Sequence, residues 1–424
     1  MMKTNKTISE KNKISEIKSI NKASEKYKQR NIGIYIHIPF CVSKCFYCDF
    51  VSFPGIKEEI KYLYVESLLK EIDDKSSCFG NAYEIDSIFI GGGTPTSIDS
   101  NLIFKILKKL NEKYRFSADI EITIESNPKT LSLSELKDYL SFGINRLSMG
   151  CQSFNDKILL LIGRSHTVSD FYISYETARN SGFENINFDI IAALPGETPE
   201  MLQNDLEKAL AINPEHISLY TLQLEEGTVL YEKYLKKEIM PVDEATDRIM
   251  YHDSVDFLIS KGYNHYEISN FAKPYKECRH NLKYWNLEEY IGLGCAAHSY
   301  IDDYRMANVR DLDKYICALN KLDNHRFTHK NECKFREYEK EYIEYIHKND
   351  MYDNIKEYMI TVLRKTEGFD RNDFKNRFDM DIDDVYKEDI KELIAEGFIQ
   401  DKSGRISLTP KGIDVSNSVL CRFV

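Results

Sequence analysis

Between residues 32 and 260 the hydrophobic period of the chain changes again and again, and this alternation limits the fold more than any single motif. Short apolar runs at 32–38, 85–90, 119–125, 146–150, 185–191 and 216–222 have the length and β-branched content of strands. Each is followed by apolar residues at helical spacing: 58–72, 101–114, 132–142, about 168–180, 199–212 and about 243–260. The third of these helices opens on a Ser-x-x-Glu capping box, Ser132 with Glu135. Strands alternating with helices build right-handed βαβ units around a parallel sheet. Six such units predict an α/β fold, a partial (βα)6 barrel rather than a complete eight-unit one.

Parallel α/β folds place their sites at the C-terminal ends of the strands. The unusual segments fall there. "CVSKCFYC" (41–48) follows the first strand, "GGGTPT" (91–96) the second, and "ESNP" (125–128) ends the third. "GCQSF" (150–154) ends the fourth, and Asp189 lies near the end of the fifth. Five such segments are expected to share one mouth.

Cysteine use is uneven. Three of the ten cysteines, Cys41, Cys45 and Cys48, lie within eight residues, and the rest are scattered. A secreted disulfide scaffold would be shorter and denser in cysteine, so a reducing, cytoplasmic setting is expected. Thiolates bind soft metals, and four cysteines are usual for structural zinc and for iron–sulfur clusters. Three thiolates around a four-iron cluster would leave one iron open to a small chelating ligand. Zinc would need a fourth ligand and remains the lesser alternative.

The Cys-x3-Cys-x2-Cys spacing resembles the signature of the radical S-adenosylmethionine (SAM) superfamily. "YIHIPFC" before it and "GGGTPT" after the next strand narrow the likeness. They are similar to the family of oxygen-independent coproporphyrinogen III oxidase and its heme-chaperone branch. The resemblance runs from about Ile32 to the C-terminus. It implies a [4Fe-4S] cluster on Cys41, Cys45 and Cys48, with SAM chelated at the open iron and open to reductive cleavage to a 5′-deoxyadenosyl radical. It also implies SAM contacts at Tyr35, Tyr47, Gly92, Gly93, Thr94, Glu125, Gln152, Arg164 and Asp189, with Gln223 as a further correspondence. In the oxidase, Gln152, Arg164 and Asp189 would match positions serving a second SAM.

"HNLKYW" (280–285) sets His280 beside Tyr284 and the only tryptophan, Trp285. An imidazole among aromatics suits axial ligation of heme, and the string resembles a heme-associated motif of the chaperone branch. His280 is therefore the expected heme contact, with Cys278 and His298 as alternatives; "GLGCAAHSY" (292–300) is expected to line the same mouth. At position 50 the oxidase pattern would carry a fourth cysteine, and this chain has Phe50. Phenylalanine neither ligates iron nor transfers hydrogen. The expected function is a chaperone that binds heme and passes it to an acceptor protein. The alternative is a radical decarboxylase that converts coproporphyrinogen III to protoporphyrinogen IX. A zinc-stabilised binding module is the third reading.

Composition removes other classes. The net charge of −11 argues against a nucleic-acid partner. No apolar run is long enough to span a bilayer, which leaves at most a peripheral membrane contact. Residues 1–31 read as a polar, disordered tail rather than a signal peptide. Residues 32–322 form the expected core, and 323–350 a polar linker or insertion. Residues 351–424 read as a winged-helix-like α+β module, with helices at 351–364 and 384–396 and two short strands in 397–410. A packing role without DNA contact is expected of it.

Overall fold

The computed structural model describes residues 30–79, 82–321 and 340–424. The strands expected from periodicity are present as six core strands. They are Arg30–Ile38, Tyr83–Gly92, Arg115–Ser126, Arg146–Gln152, Ile186–Ala192 and His216–Thr221. They pair in parallel in chain order, each beside its sequence neighbour. Their apolar runs are covered on both faces, as a parallel sheet requires; every residue of Arg146–Gln152 is buried. The helix Ser100–Lys113 shows why the helical period holds. It turns Leu102, Ile103, Ile106, Leu107 and Leu110 onto the sheet. The Ser132–Glu135 capping box is formed at the start of Leu133–Ser141.

The sheet continues beyond the barrel units at both edges, to twelve strands. Asn270–Ala272 and Asn264–Glu267 add in antiparallel fashion beside the sixth core strand. At the other edge Tyr290–Leu293 pairs in parallel with the first core strand. His298–Ile301, Tyr304–Asn308 and Ile343–Lys348 then follow antiparallel. Periodicity gives no sign of this extension, whose strands are three to six residues long and carry many charged and aromatic side chains. Residues 343–348, placed in the linker by composition, are its outermost strand. Residues 323–339 of that linker lie outside the described residues, as does the tail as far as residue 29. Arg30 and Asn31 belong to the first strand.

The short helix Arg279–Trp285 packs against the N-terminal halves of the first three core strands. The Glu121 carboxylate accepts from the backbone N–H of Arg279 at 3.3 Å and of His280 at 3.2 Å. Those are orphan donors of a helix start, and a carboxylate satisfies them well. Lys283 pairs with Asp86 at 2.9 Å on the same side. Another buried pair, Lys75 with Glu71 at 2.7 Å, lies on the helix Glu58–Phe79. Lys75 also donates to the Gly292 carbonyl at 2.7 Å, and Glu71 accepts from the Gly294 N–H at 2.8 Å. This pair fixes the turn that leads into His298.

The C-terminal module has its own core around Ile355, Met359, Phe374, Ile390 and Ile406, joined to the sheet through Leu287 and Tyr300. It comprises Met351–Val362, Arg371–Phe378, Asp383–Ala395 and the hairpin Ile399–Lys402 with Arg405–Leu408. Ser403 and Gly404 both take positive φ, 56° and 85°, as a two-residue hairpin turn demands.

Candidate functional site

The cysteine loop leaves the first core strand and is pinned from several directions. Phe46 donates its N–H to the Ile162 carbonyl at 3.0 Å and accepts from the Leu230 N–H at 2.8 Å. Its ring packs on Gly163, where a Cβ would sit 2.6 Å from it. Thr94 Oγ1 reaches Cys41 Sγ at 3.6 Å, and an Arg164 N–H donates to Cys45 Sγ at 3.3 Å. All three thiols are half-buried. Burial pushes the Cys41 thiol up, and that of Cys48 up to about 11, with the neighbouring cysteines adding to each. Iron must therefore displace protons to bind. Among the described residues no group of three His, Cys, Asp or Glu side chains is gathered as a site for one ion. Three soft donors set apart on one loop suit a cluster, whose iron atoms are ligated separately, better than a single zinc.

Beside the loop, the strand ends form a chamber with half-buried carboxylates, Glu125 and Asp189. Gly92 has φ +110° and lies against the His37 ring, leaving no room for a Cβ. Its N–H donates to Glu125 Oε2 at 3.1 Å. Glu125 is pushed up to about 8, first by burial and then by the Asp189 charge. Burial also raises Asp189, against hydrogen bonds that include one from Asn187 at 2.8 Å. Two neighbouring, partly desolvated carboxylates disfavour each other's ionisation. A ligand carrying hydroxyl or ammonium groups would offer them further donors.

The other expected SAM residues surround these two. Gly93 donates to the Ile38 carbonyl at 2.9 Å, and Thr94 to the Phe40 carbonyl at 2.8 Å. Gln152 ends the fourth strand with φ +70°. Arg164 donates to the Gly150 carbonyl at 2.7 Å. Tyr47 packs against Ile158, Ile162, Ile191 and Leu194. Gln223 is exposed just past the sixth strand. Asn127 was not singled out from the sequence. It donates to Thr94 Oγ1 at 2.7 Å and accepts from Arg164, so it ties the second, third and fourth strand ends together. The signal for it is its place in the "ESNP" string, two positions after Glu125.

His37 connects this chamber to a second space. Its Nε2–H donates to the Val51 carbonyl at 2.9 Å, which leaves Nδ1 to accept from the Tyr35 hydroxyl at 3.0 Å. Burial holds the ring neutral, with its pKa down at about 4. Tyr35 and His37 line a cavity of about 620 Å³ between the cysteine loop and the added strands. Phe50, Tyr284, Trp285, Tyr290, His298 and Tyr345 also line it. Phe50 is 63% exposed there.

His280 is not at that surface. It is fully buried beneath Phe89, with ring centroids 5.6 Å apart. Nδ1 is 3.0 Å from Ser87 Oγ, and Nε2 is 2.9 Å from the Tyr284 hydroxyl. In this arrangement both ring nitrogens are engaged, and neither presents a lone pair to an iron atom. Burial first, and then Lys283, lowers its pKa to about 3. Cys278, the second alternative, is buried against Glu121. His298 does reach the cavity.

Comparison with known proteins agrees with this geometry. The family model for the radical SAM superfamily matches residues 35–209, and that for the HemN C-terminal domain matches residues 352–415. The heme chaperone HemW of Lactococcus lactis is 35% identical over 399 residues, 93% of this chain and 98% of that protein. HemW of Bacillus subtilis is 34% identical over 392 residues, 92% of this chain and 98% of that protein. Among solved structures, coproporphyrinogen III oxidase (HemN) from Escherichia coli superposes with a TM-score of 0.77 at 24% identity. That match covers 96% of this chain and 93% of the oxidase, and it establishes the shared fold.

Proposed function

The chain belongs to the heme chaperone HemW family of the radical SAM superfamily, and from that premise we propose that it carries heme to an acceptor protein. Cys41, Cys45 and Cys48 hold a [4Fe-4S] cluster. Tyr35, Tyr47, Gly92, Gly93, Thr94, Glu125, Gln152, Arg164 and Asp189 form the SAM site, where Glu125 accepts from ribose hydroxyls. When bound, cluster and SAM together supply reductive radical chemistry or a structural lock on the loop. The chain's own residues do the rest. The Gly92 N–H orients Glu125, Arg164 braces Cys45, and His37 fixes the Tyr35 hydroxyl. The protein acts as a cytoplasmic carrier rather than a catalyst; no described helix is long and apolar enough to cross a membrane.

One observation carries this reading. Phe50, at the end of the cysteine loop, shares a cavity with Tyr284 and Trp285, and Tyr35 joins that cavity to the SAM chamber. Aromatic walls suit a flat apolar macrocycle, and the cavity's volume is in the range of small-molecule sites. An anaerobic assay tests the proposal. The protein with its cluster reconstituted is incubated with SAM, reductant and coproporphyrinogen III, and heme is titrated in parallel. Stoichiometric heme binding and transfer to an apo-hemoprotein, without turnover to protoporphyrinogen IX, is expected. Catalytic formation of protoporphyrinogen would overturn the carrier reading in favour of the oxidase.

A further inference from the structure

We propose that heme sits in the cavity between the cysteine loop and the added strands, and that His298, not His280, meets its iron. This inference rests on the carrier reading and names the ligand within it. The strand register sets His298 opposite Ala307, and Ala307 opposite Tyr345, so the three share one face of the sheet. All three line the cavity. His298 is exposed there. Its Nδ1 lies 3.5 Å from the Tyr345 hydroxyl, the outer limit of a hydrogen bond, and Nε2 has no partner among the described residues. Partial desolvation against the cavity wall, followed by Arg305 and Arg310, lowers its pKa and keeps a lone pair available. A ring nitrogen held by a neighbour, with the other free, is the usual state of a metal-ligating imidazole.

The rest of the cavity fits the rest of the molecule. Phe50, Tyr284 and Trp285 offer flat apolar surface. The Trp285 indole N–H is buried and lacks an acceptor among the described residues, a donor awaiting a partner. Heme brings two carboxylates. Arg310 lines the cavity without an ion-pair partner among the described residues, while Arg305 is already held by Glu357 at 2.7 Å. His280 then acts at one remove. Its Nε2 holds the Tyr284 hydroxyl, and Tyr284 lines the cavity, so His280 is a positioning residue. Even the approach of His298 is specified: a Cβ on Gly292 would overlap its carbonyl oxygen.

Hemin titration of the full-length protein tests this, read by optical and electron paramagnetic resonance spectra. Wild type should show imidazole-ligated heme. His298→Ala should lose that signature and bind at least about tenfold more weakly, about 1.4 kcal/mol. Added imidazole should restore the signature in His298→Gly. His280→Ala should weaken binding through Tyr284 yet keep an imidazole-ligated spectrum. Should the alanine variant fail to fold, His298→Met keeps side-chain bulk and should show a thioether-type spectrum. A wild-type spectrum in His298→Ala or His298→Met overturns the assignment, as does loss and imidazole rescue at position 280. If wild type binds no hemin, the carrier reading itself fails, and the inference falls with it.

Discussion

The proposed SAM chamber and the aromatic cavity meet at Tyr35 and His37, yet they are built in opposite ways. The chamber is assembled at the ends of parallel strands, from backbone amides and half-buried carboxylates such as Gly92 N–H and Glu125. Its parts arrive in chain order, each just after an apolar run. The cavity is assembled from side chains on short strands and a helix far apart in sequence, from Phe50 to Tyr345. One site is set by backbone conformation and the other by side-chain surface. Substitutions should therefore act on them differently.

The largest expected effect separates them most cleanly. Cys45→Ala should abolish the cluster, measured as bound iron and visible absorption. Retention of a full cluster would break the loop assignment. Next, Gly92→Ala forces a side chain into a positive-φ position against His37, at a cost on the order of 1–3 kcal/mol. SAM affinity should fall by about tenfold or more in calorimetry, and an unchanged affinity would remove the glycine turn from the SAM site.

A smaller effect concerns pH. Glu125 ordinarily titrates near 4.5 and here near 8, so the folded chain holds a proton there that the unfolded chain releases. Stability from this group falls as pH rises through that window. Glu125→Gln stays neutral and should flatten the drop in melting temperature between pH 5 and pH 8, relative to wild type without SAM. An equally steep drop would show that Glu125 is not the group responsible. The smallest effect is at Phe50. Phe50→Ala should weaken heme binding about threefold, within the range of one aromatic contact, and leave cluster content unchanged. Loss of the cluster in this variant would merge two sites that the structure keeps distinct.

The chamber was largely legible because its determinants are local. A strand, then a glycine run, then a helix places Gly92 and Gly93 without knowledge of the rest of the chain. Asn127 escaped because its role is to bridge Thr94 and Arg164, and bridging is not written in a motif. The cavity was less legible for the same reason at longer range. "HNLKYW" reads as an imidazole among aromatics, but Ser87, which occupies one nitrogen of His280, is 193 positions away. His298 and Tyr345 become neighbours only through antiparallel strands too short and too polar to show a period. The C-terminal hairpin was visible because Ser403-Gly404 fixes its turn locally.

The bond between His37 and the Val51 carbonyl has a thermodynamic consequence. It fastens the end of the cysteine loop to Tyr35, while Phe50, one residue earlier, forms part of the cavity wall. On the proposed assignment, assembly of iron on residues 41–48 would act on a segment that both ligand sites share. Linkage then runs in both directions: whatever factor cluster assembly applies to heme affinity, heme must apply equally to retention of the cluster. Cargo loading would in that case be a report on the state of the iron, and iron status a control on which molecules leave with cargo.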